Sequence, residues 1–280
     1  MKIFKKVILI ILGIIVIVEG YLVFSFLQGY DSTKQDHSKQ AVSFNGEEAS
    51  DQNDLNVLII GTDSRGEDAG RSDSLMIAHY DQKKKQPKLV SLMRDSYVDI
   101  PGYGMDKINA AYSYGGVELV RKTLKENFDI PIEYYVIINF DHFKEAVDSL
   151  FPKGVTIDAE KDLDLDGVFI KAGKQKMDGN TLLQYSRFRE DEESDFGRIR
   201  RQQQVLSAIS QQVTDVTSLS RLPKTIGKLL GYVETNIPEK TILSVGKDFA
   251  LGSNKEMESL SVPIENSWQF NDDTPSGSVL

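Results

Sequence analysis

The chain has no cysteine among its 280 residues, which excludes disulfide bridges, thiolate metal sites and a cysteine nucleophile. That absence suits an exported protein built without disulfide chemistry, but it names no compartment. Positive charge is also in short supply. With 33 basic against 42 acidic residues the formal net charge is -9, so most of the surface repels polyanions. A general nucleic-acid binder of this size is more often basic throughout, and no helix-turn-helix, zinc finger, RNP motif or KH loop is present. Of the three histidines, His37 lies in a polar segment near the N-terminus. His79 and His142 have no G-x-S-x-G elbow to serve, so serine hydrolase chemistry finds little support. HExxH, EF-hand and Walker patterns are missing too, as are internal repeats and heptad runs.

The N-terminus carries a long apolar run. Lys2, Lys5 and Lys6 precede Val7 to Leu27, apolar except for Glu19, Ser25 and two glycines. As a helix this run is roughly 31 Å long, matching a hydrocarbon core of about 30 Å. A cleaved signal peptide competes with this reading, but no small-x-small site follows promptly. The expectation is therefore a cytoplasmic N-terminus over 1–6 and a transmembrane helix over 7–27, with the rest of the chain outside the cytoplasm. Residues 28–54 are polar and aperiodic and read as a flexible extracellular stalk. The folded domain is expected over 55–262, with a polar tail over 263–280.

Within the domain, strand and helix patterns alternate. "LNVLIIG", "DSLMIAHY", "KLVSLMRD", "YYVIINF" and "GVTID" read as strands. Helical spacing covers Asn109 to Phe128, "DHFKEAVDSL", "MDGNTLLQYSRFR" from near Asp178 or Asn180, and "GRIRRQQQVLSAISQQV", whose Ile199, Val205, Leu206 and Ile209 form a core stripe. Two further helices are expected in "SLSRLPKTIGKLLGYV" and "IPEKTILSVGKDF". Asp158 to Asp166 reads as a polar loop. This alternation favours a layered α/β domain around a mixed sheet.

Three polar clusters interrupt these elements. In "GTDSRGEDAGRSDS", Asp63 and Asp73, with Asp68 a further candidate, lie near strand ends beside Arg65 and Arg71. Carboxylates so placed could hold Mg²⁺, a hard ion that prefers oxygen and shares its waters with phosphate; a polar turn with surface ion pairs is the plainer alternative. Next, Arg94 and Asp95 follow directly on an apolar strand and Lys107 adds a cation; a salt bridge from Arg94 to Asp95 or Asp99 is the alternative there. The third cluster is "YSRFREDEESDFGRIRRQQQV", which holds five of the chain's ten arginines. Arg187 and Arg189 would diverge on a helix but can converge on an extended segment. Arg198 and Gln202 share a helical face, with Arg201 close to Arg198. Arginine forks grip phosphate oxygens bidentately, and so many suit a pyrophosphate better than one carboxylate. Pairing with the acidic "EDEESD" on a solvated surface is the competing view.

Taken in order and spacing, "GTDSR…RSDSLMIAHY", "LVSLMRDSYVDIPGYGMDKINAAYSYGG", "YYVIINFDHFKEAVDSL", "AGKQKMDGNTLLQYSRFR" and "DFGRIRRQQQVLSAI" resemble the LytR-CpsA-Psr family of membrane-anchored cell-wall proteins. The resemblance covers about residues 55 to 235. It implies a three-layer α/β/α domain with a hydrophobic pocket for a prenyl chain. It also implies a phosphotransferase at the cell membrane of a Gram-positive bacterium. Such an enzyme moves an anionic glycopolymer, of wall teichoic acid or capsular type, from undecaprenyl pyrophosphate to a peptidoglycan sugar hydroxyl. By motif position Asp63 and Asp73 correspond to ligands of Mg²⁺, with Mn²⁺ as a substitute. Arg94 corresponds to the arginine that the chemistry requires, with Asp73 and Asp63 beside it. Arg71, Lys107, Arg187, Arg189, Arg198 and Gln202 correspond to the pyrophosphate clamp. Asp195 also matches a motif position, with orientation of an arginine as one role for it, while Arg200 and Arg201 are left as structural or surface partners of the acidic insert. A pyrophosphatase, a non-catalytic polyprenyl-phosphate-binding scaffold and a transcriptional attenuator are the rival functions.

Overall fold

The computed structural model describes residues 24–32, 43–49, 54–63, 72–212, 222–251, 257–264 and 267–280. Residues 24–31 are helical and are labelled α1. Strands β1 (Asp54–Thr62), β2 (Ser72–Asp81) and β3 (Gln86–Leu92) follow, then the hairpin β4 (Tyr97–Ile100) and β5 (Gly104–Lys107). After these come α2 (Ala110–Phe128), β6 (Tyr134–Asn139), α3 (Phe140–Leu150) and β7 (Val155–Ala159). The hairpin β8 (Leu163–Leu165) and β9 (Val168–Ile170) precedes β10 (Gly173–Met177), α4 (Gly179–Arg187) and α5 (Ser194–Gln212). Last are α6 (Leu222–Tyr232), β11 (Val233–Thr235), α7 (Glu239–Leu251) and β12 (Glu258–Val262).

Six strands form the main sheet in the order β11-β6-β1-β2-β3-β12. β1, β2 and β3 run antiparallel, whereas β6 joins β1 and β12 joins β3 in parallel, so the sheet is mixed as expected. Side chains alternate between its faces. Leu58, Ile60, Leu75 and Ile77 turn to one face and form a core with Val117, Val120 and Leu124 of α2. Ile59, Gly61, Ser74, Met76 and Ile138 turn to the other, toward α3, α4 and α5. Those helices have a second core of their own, in which Val147, Leu182, Tyr185 and Val205 pack on Val155 and Ile157 of β7. Helices therefore flank the sheet on both faces.

Four expectations need revision. Residues 43–49, assigned to a flexible stalk, lie along α2: Phe44 packs on the first core, and Glu47 pairs with Arg121 at 2.5 Å. The loop Asp158 to Asp166 contains β8, because Leu163 is buried and pairs across to Ile170. α2 is kinked at Gly115 and Gly116, the latter at φ 62°. The tail is held rather than soft: Tyr97 N donates to Leu280 O and Leu280 N to Asp95 O, both at 2.9 Å, and Val279 is buried. Most of the expected membrane span, residues 7–23, lies outside the described residues. Among those described, no helix is long and apolar enough to cross a membrane.

Candidate functional site

β1 and β2 end in a register slip. Gly61 pairs with Ser74 and Thr62 with Ser72, so Asp73 is the extra residue of a β-bulge. A bulge of this kind re-aims the side chain it carries, and Asp73 lines a cavity of about 220 Å³ at this end of the sheet. Asp63, one residue past β1, lines it too. The parallel pairing of Thr62 with Asn139 sets Phe140, the first residue of α3, on the same wall. Asn139 caps that helix by accepting from Asp141 N at 2.8 Å.

The arginines arrive from three directions. Arg94 follows the end of β3. α4 starts at the Asp178 cap and ends at Arg187; Phe188 is then extended, with ψ 132°. This lets Arg187 and Arg189 both reach the cavity while Phe188 between them is buried. Arg198 and Gln202 come from one face of α5. Seven of the nine residues singled out from the sequence thus share one cavity: Asp63, Asp73, Arg94, Arg187, Arg189, Arg198 and Gln202. Arg71, with Arg65 and Asp68, lies outside the described residues. Lys107 is a correction. It is not among the residues that line the cavity: its Nζ binds Asp95 Oδ1 at 3.0 Å, and Asp95 Oδ2 in turn lies 3.5 Å from Arg94 Nε.

Four arginines against two aspartates leave the wall positive. Arg94 donates from Nε to Asp195 Oδ2 at 2.8 Å, and Arg198 Nη2 approaches the same oxygen at 3.4 Å. One carboxylate thus orients two guanidinium groups. Arg198 is only 6 % exposed, and its Nε is buried without a partner, as is Asp195 Oδ1. Burial weakens the hold of Arg198 on its proton, and Asp195 offsets this only in part; an arginine remains charged regardless. A buried cation so sparsely paired calls for an anionic ligand. Arg94 Nη1 lies 3.6 Å from Asp73 and Arg187 Nη2 3.8 Å from Asp63, long contacts that a stronger anion can displace.

A second cavity of about 90 Å³ opens beside the first, lined by Ile59, Met76, Ile138, Phe143, Leu183 and Leu206. The two share Ser74, Phe140, Arg187 and Gln202. Arg187 sits 5.3 Å above the Phe140 ring, and Gln202 donates to Ser74 Oγ at 2.8 Å, so the boundary is a cation–π pair and a hydrogen bond. Ser74 and Phe140 went unrecognised in the sequence. The strand–helix junction at the end of β6 is the signal that could have found Phe140.

Among the described residues no three carboxylate or imidazole groups are arranged so that they could hold a metal ion together. Asp63 and Asp73 nevertheless share one wall, and two carboxylates suit Mg²⁺, which fills its remaining positions with water and phosphate oxygens. Arg200 pairs with Glu160 and Glu193, as expected of a surface partner. Arg201 is a structural partner of the acidic insert: wholly buried, it donates from Nη2 to Phe188 O at 2.6 Å and pairs with Asp191 at 3.2 Å.

A model of the LytR_cpsA_psr family matches residues 21–277. The regulatory protein MsrR of Staphylococcus aureus (strain COL) is 42% identical over 263 residues, covering 93% of this chain and 80% of that protein. The polyisoprenyl-teichoic acid–peptidoglycan teichoic acid transferase TagU of Bacillus cereus (strain AH820) is 32% identical over 263 residues, covering 90% and 85%. Among solved structures, B. subtilis TagV superposes with a TM-score of 0.71 at 28% identity, over 82% of this chain and 90% of that one. TagT bound to LI-WTA superposes with a TM-score of 0.66 at 29% identity, over 88% and 91%.

Proposed function

The chain belongs to the LytR_cpsA_psr family, and from that membership we propose that it is a glycopolymer phosphotransferase. Its donor is an anionic glycopolymer, of wall teichoic acid or capsular type, on undecaprenyl pyrophosphate, and its acceptor is a peptidoglycan sugar hydroxyl. One observation carries this reading: the arginine-lined cavity runs into an apolar one across Ser74, Phe140, Arg187 and Gln202. A ligand with a pyrophosphate head and a hydrocarbon tail has that shape and that division of polarity. The names of TagU and TagT bound to LI-WTA support the same class of substrate.

In the proposed reaction the sugar oxygen bonds to the glycan-linked phosphorus while the bond from that phosphorus to the bridging oxygen breaks. The electron pair leaves with the lipid phosphate, and the product is a glycan–peptidoglycan phosphodiester. Arg94, Arg187, Arg189 and Arg198 face the charge that develops, in a setting that Asp195 has already oriented. The hydroxyl proton passes to Asp63 or Asp73, the carboxylates on the wall. Mg²⁺, or Mn²⁺ in its place, would be held by Asp63 and Asp73 and neutralises pyrophosphate charge when bound. The same proposal sets the domain on the outer face of a Gram-positive cell membrane, on a single-pass type II anchor over 7–27, resting on Lys2, Lys5, Lys6 and the apolar run.

The test is full-length protein in detergent with Mg²⁺, a lipid-pyrophosphate-linked glycan and peptidoglycan oligomers, read by mass spectrometry. A glycan–peptidoglycan phosphodiester is expected. Free glycan phosphate as the sole product, with acceptor present, identifies a hydrolase instead. Lipid retained without turnover identifies a scaffold.

A further inference from the structure

The reaction needs two substrates, and the arginine and apolar cavities account for one. Ser96, two residues past Arg94, lines a groove of about 480 Å³ between β4, the end of α2 and the C-terminal segment. Its chemistry is unlike that of the first cavity. Ser96, Asn127, Ser267, Trp268, Gln269 and Asn271 are among its lining residues, and none of the described side chains that line it is charged. Such a wall has nothing to offer a pyrophosphate or a teichoic acid. Neutral hydroxyl and amide groups beside a half-buried indole, stacked on Phe196 and set nearly at right angles to Phe270 at 5.1 Å, fit a neutral sugar, whose ring packs on an aromatic surface while its hydroxyl and acetamido groups hydrogen-bond to the rim.

Two observations tie the groove to a ligand and to the reaction. Ser96 is 8 % exposed, and its Oγ is buried without a hydrogen-bond partner. A buried hydroxyl left unsatisfied costs about 1–3 kcal/mol, which a bound polar group recovers. The groove also borders the reaction centre along both chain segments that build it. Ser96 is two residues from Arg94, at most about 7 Å along the chain, less than the length of a disaccharide. Trp268 stacks on Phe196 at 4.7 Å, and Phe196 adjoins Asp195, whose carboxylate holds Arg94 at 2.8 Å.

We infer that this groove binds the acceptor, a neutral N-acetylated glycan strand, and delivers one of its hydroxyls to the arginine cavity. Trp268 is the stacking platform, Ser96 lies at the floor and Gln269 at the rim, and the C-terminal segment is thereby an acceptor-specificity element. The inference rests on the phosphotransferase reading for the use of the glycan, but not for its binding.

Trp268 is the chain's only tryptophan, so its fluorescence reports the groove directly. The full-length protein in detergent is titrated with the neutral tetramer of N-acetylglucosamine. A saturable change in emission is expected, weakened at least fivefold in Ser96→Ala and Gln269→Ala. In the transfer assay Trp268→Ala should raise KM for the peptidoglycan oligomer at least tenfold and leave KM for the lipid-linked donor unchanged. Trp268→Phe, which keeps the packing on Phe196, should give an intermediate value and guards against a folding defect. No emission change up to millimolar tetramer, or an acceptor KM unmoved in Trp268→Ala, overturns the inference while leaving the phosphotransferase reading intact. Emission that responds to a teichoic acid fragment rather than the tetramer also overturns it, assigning the groove to the donor. A saturable tetramer response in a protein that transfers nothing leaves the groove standing and removes the enzyme assignment.

Discussion

Arg94 and Arg201 carry the same guanidinium into opposite surroundings. Arg94 lines the cavity and reaches Asp73 and Asp195, whereas Arg201 is wholly enclosed between Phe188 O and Asp191. Truncation should therefore separate them. Arg94→Ala is expected to lower transfer by about 10²–10³-fold, the usual loss when one oxyanion-stabilising donor goes, with the folded state retained by circular dichroism. Arg201→Ala strands the Phe188 carbonyl and unbalances Asp191. A loss of 3–5 kcal/mol is typical of breaking such a buried pair, so its melting temperature should fall by roughly 10 °C. Equal effects of the two variants on turnover, at unchanged melting temperature, would contradict this division. The same scale holds the metal question: Asp73→Asn should raise the Mg²⁺ concentration for half-maximal transfer at least tenfold, and a titration unmoved by it would remove Asp73 as a ligand. Sequence spacing brought out the pairing of Arg198 with Gln202 because i and i+4 share a face. It brought out the convergence of Arg187 with Arg189 because an extended residue can separate them. It did not distinguish Arg201 from Arg198, since at i and i+3 both point to the same side of a helix; both are buried, but Arg198 reaches the cavity while Arg201 is tied to Phe188 O and Asp191.

At the scale of elements, the segment over 43–49 acts as a strap across α2. Glu118 accepts from Arg121 Nε and Nη2, both at 2.9 Å, and from Asn45 N at 3.0 Å. Burial alone would raise the Glu118 pKa, but the Arg121 and Asn45 hydrogen bonds outweigh it and bring the value to about 2, against 4.5 for an ordinary glutamate. A group whose pKa is depressed by folding stabilises the fold above its unfolded value and loses that contribution as pH falls. The stabilisation, about 1–2 kcal/mol after solvent screening, should be present at pH 6 and fade between pH 4.5 and about 2. Urea unfolding at pH 6 and pH 3 should show a smaller acid loss in Glu118→Gln than in the unsubstituted protein. Identical pH dependence would mean that the strap does not contribute through this carboxylate. The strap, the β4–β5 and β8–β9 hairpins, the short strands β10, β11 and β12, and the held tail went unread; the strap, the β8–β9 hairpin and the tail share one reason. Each rests on isolated apolar residues, Phe44, Leu163 and Val279, inside polar stretches. Periodicity needs several repeats to register, and the burial of a lone side chain is set by a surface distant in sequence. β1, β2, β3 and β6 were legible because each repeats its pattern over a full strand, although their order in the sheet depends on non-local pairing that no single segment carries.

For the whole molecule, the arrangement separates three chemistries around one end of the sheet: cationic, apolar and neutral polar. The mixed topology makes this possible, since the β1–β2 bulge and the end of β6 deliver Asp73, Asp63 and Phe140 to one wall while α4 and α5 supply the cations. The apolar cavity owes its existence to the same face of the sheet, where small residues pair. A Cβ on Gly61 would meet Ser74 Cβ at 3.1 Å, so a larger residue at 61 would press on Ser74 at the wall that the two cavities share. If the cavity takes the lipid tail, filling it should penalise donors by tail length and not by head group. Leu206→Trp places an indole against a space of about 90 Å³, and Leu206 touches none of the arginines' carboxylate partners among the described contacts. The expected outcome is at least a tenfold fall in kcat/KM for a long polyprenyl donor, with a short-chain donor of the same head group losing less than threefold. Each methylene withheld from an apolar site forfeits about 0.8 kcal/mol, so displacing even a few isoprene carbons suffices for that difference. A uniform loss across tail lengths would place the tail elsewhere and leave the arginine cavity to bind the head group alone.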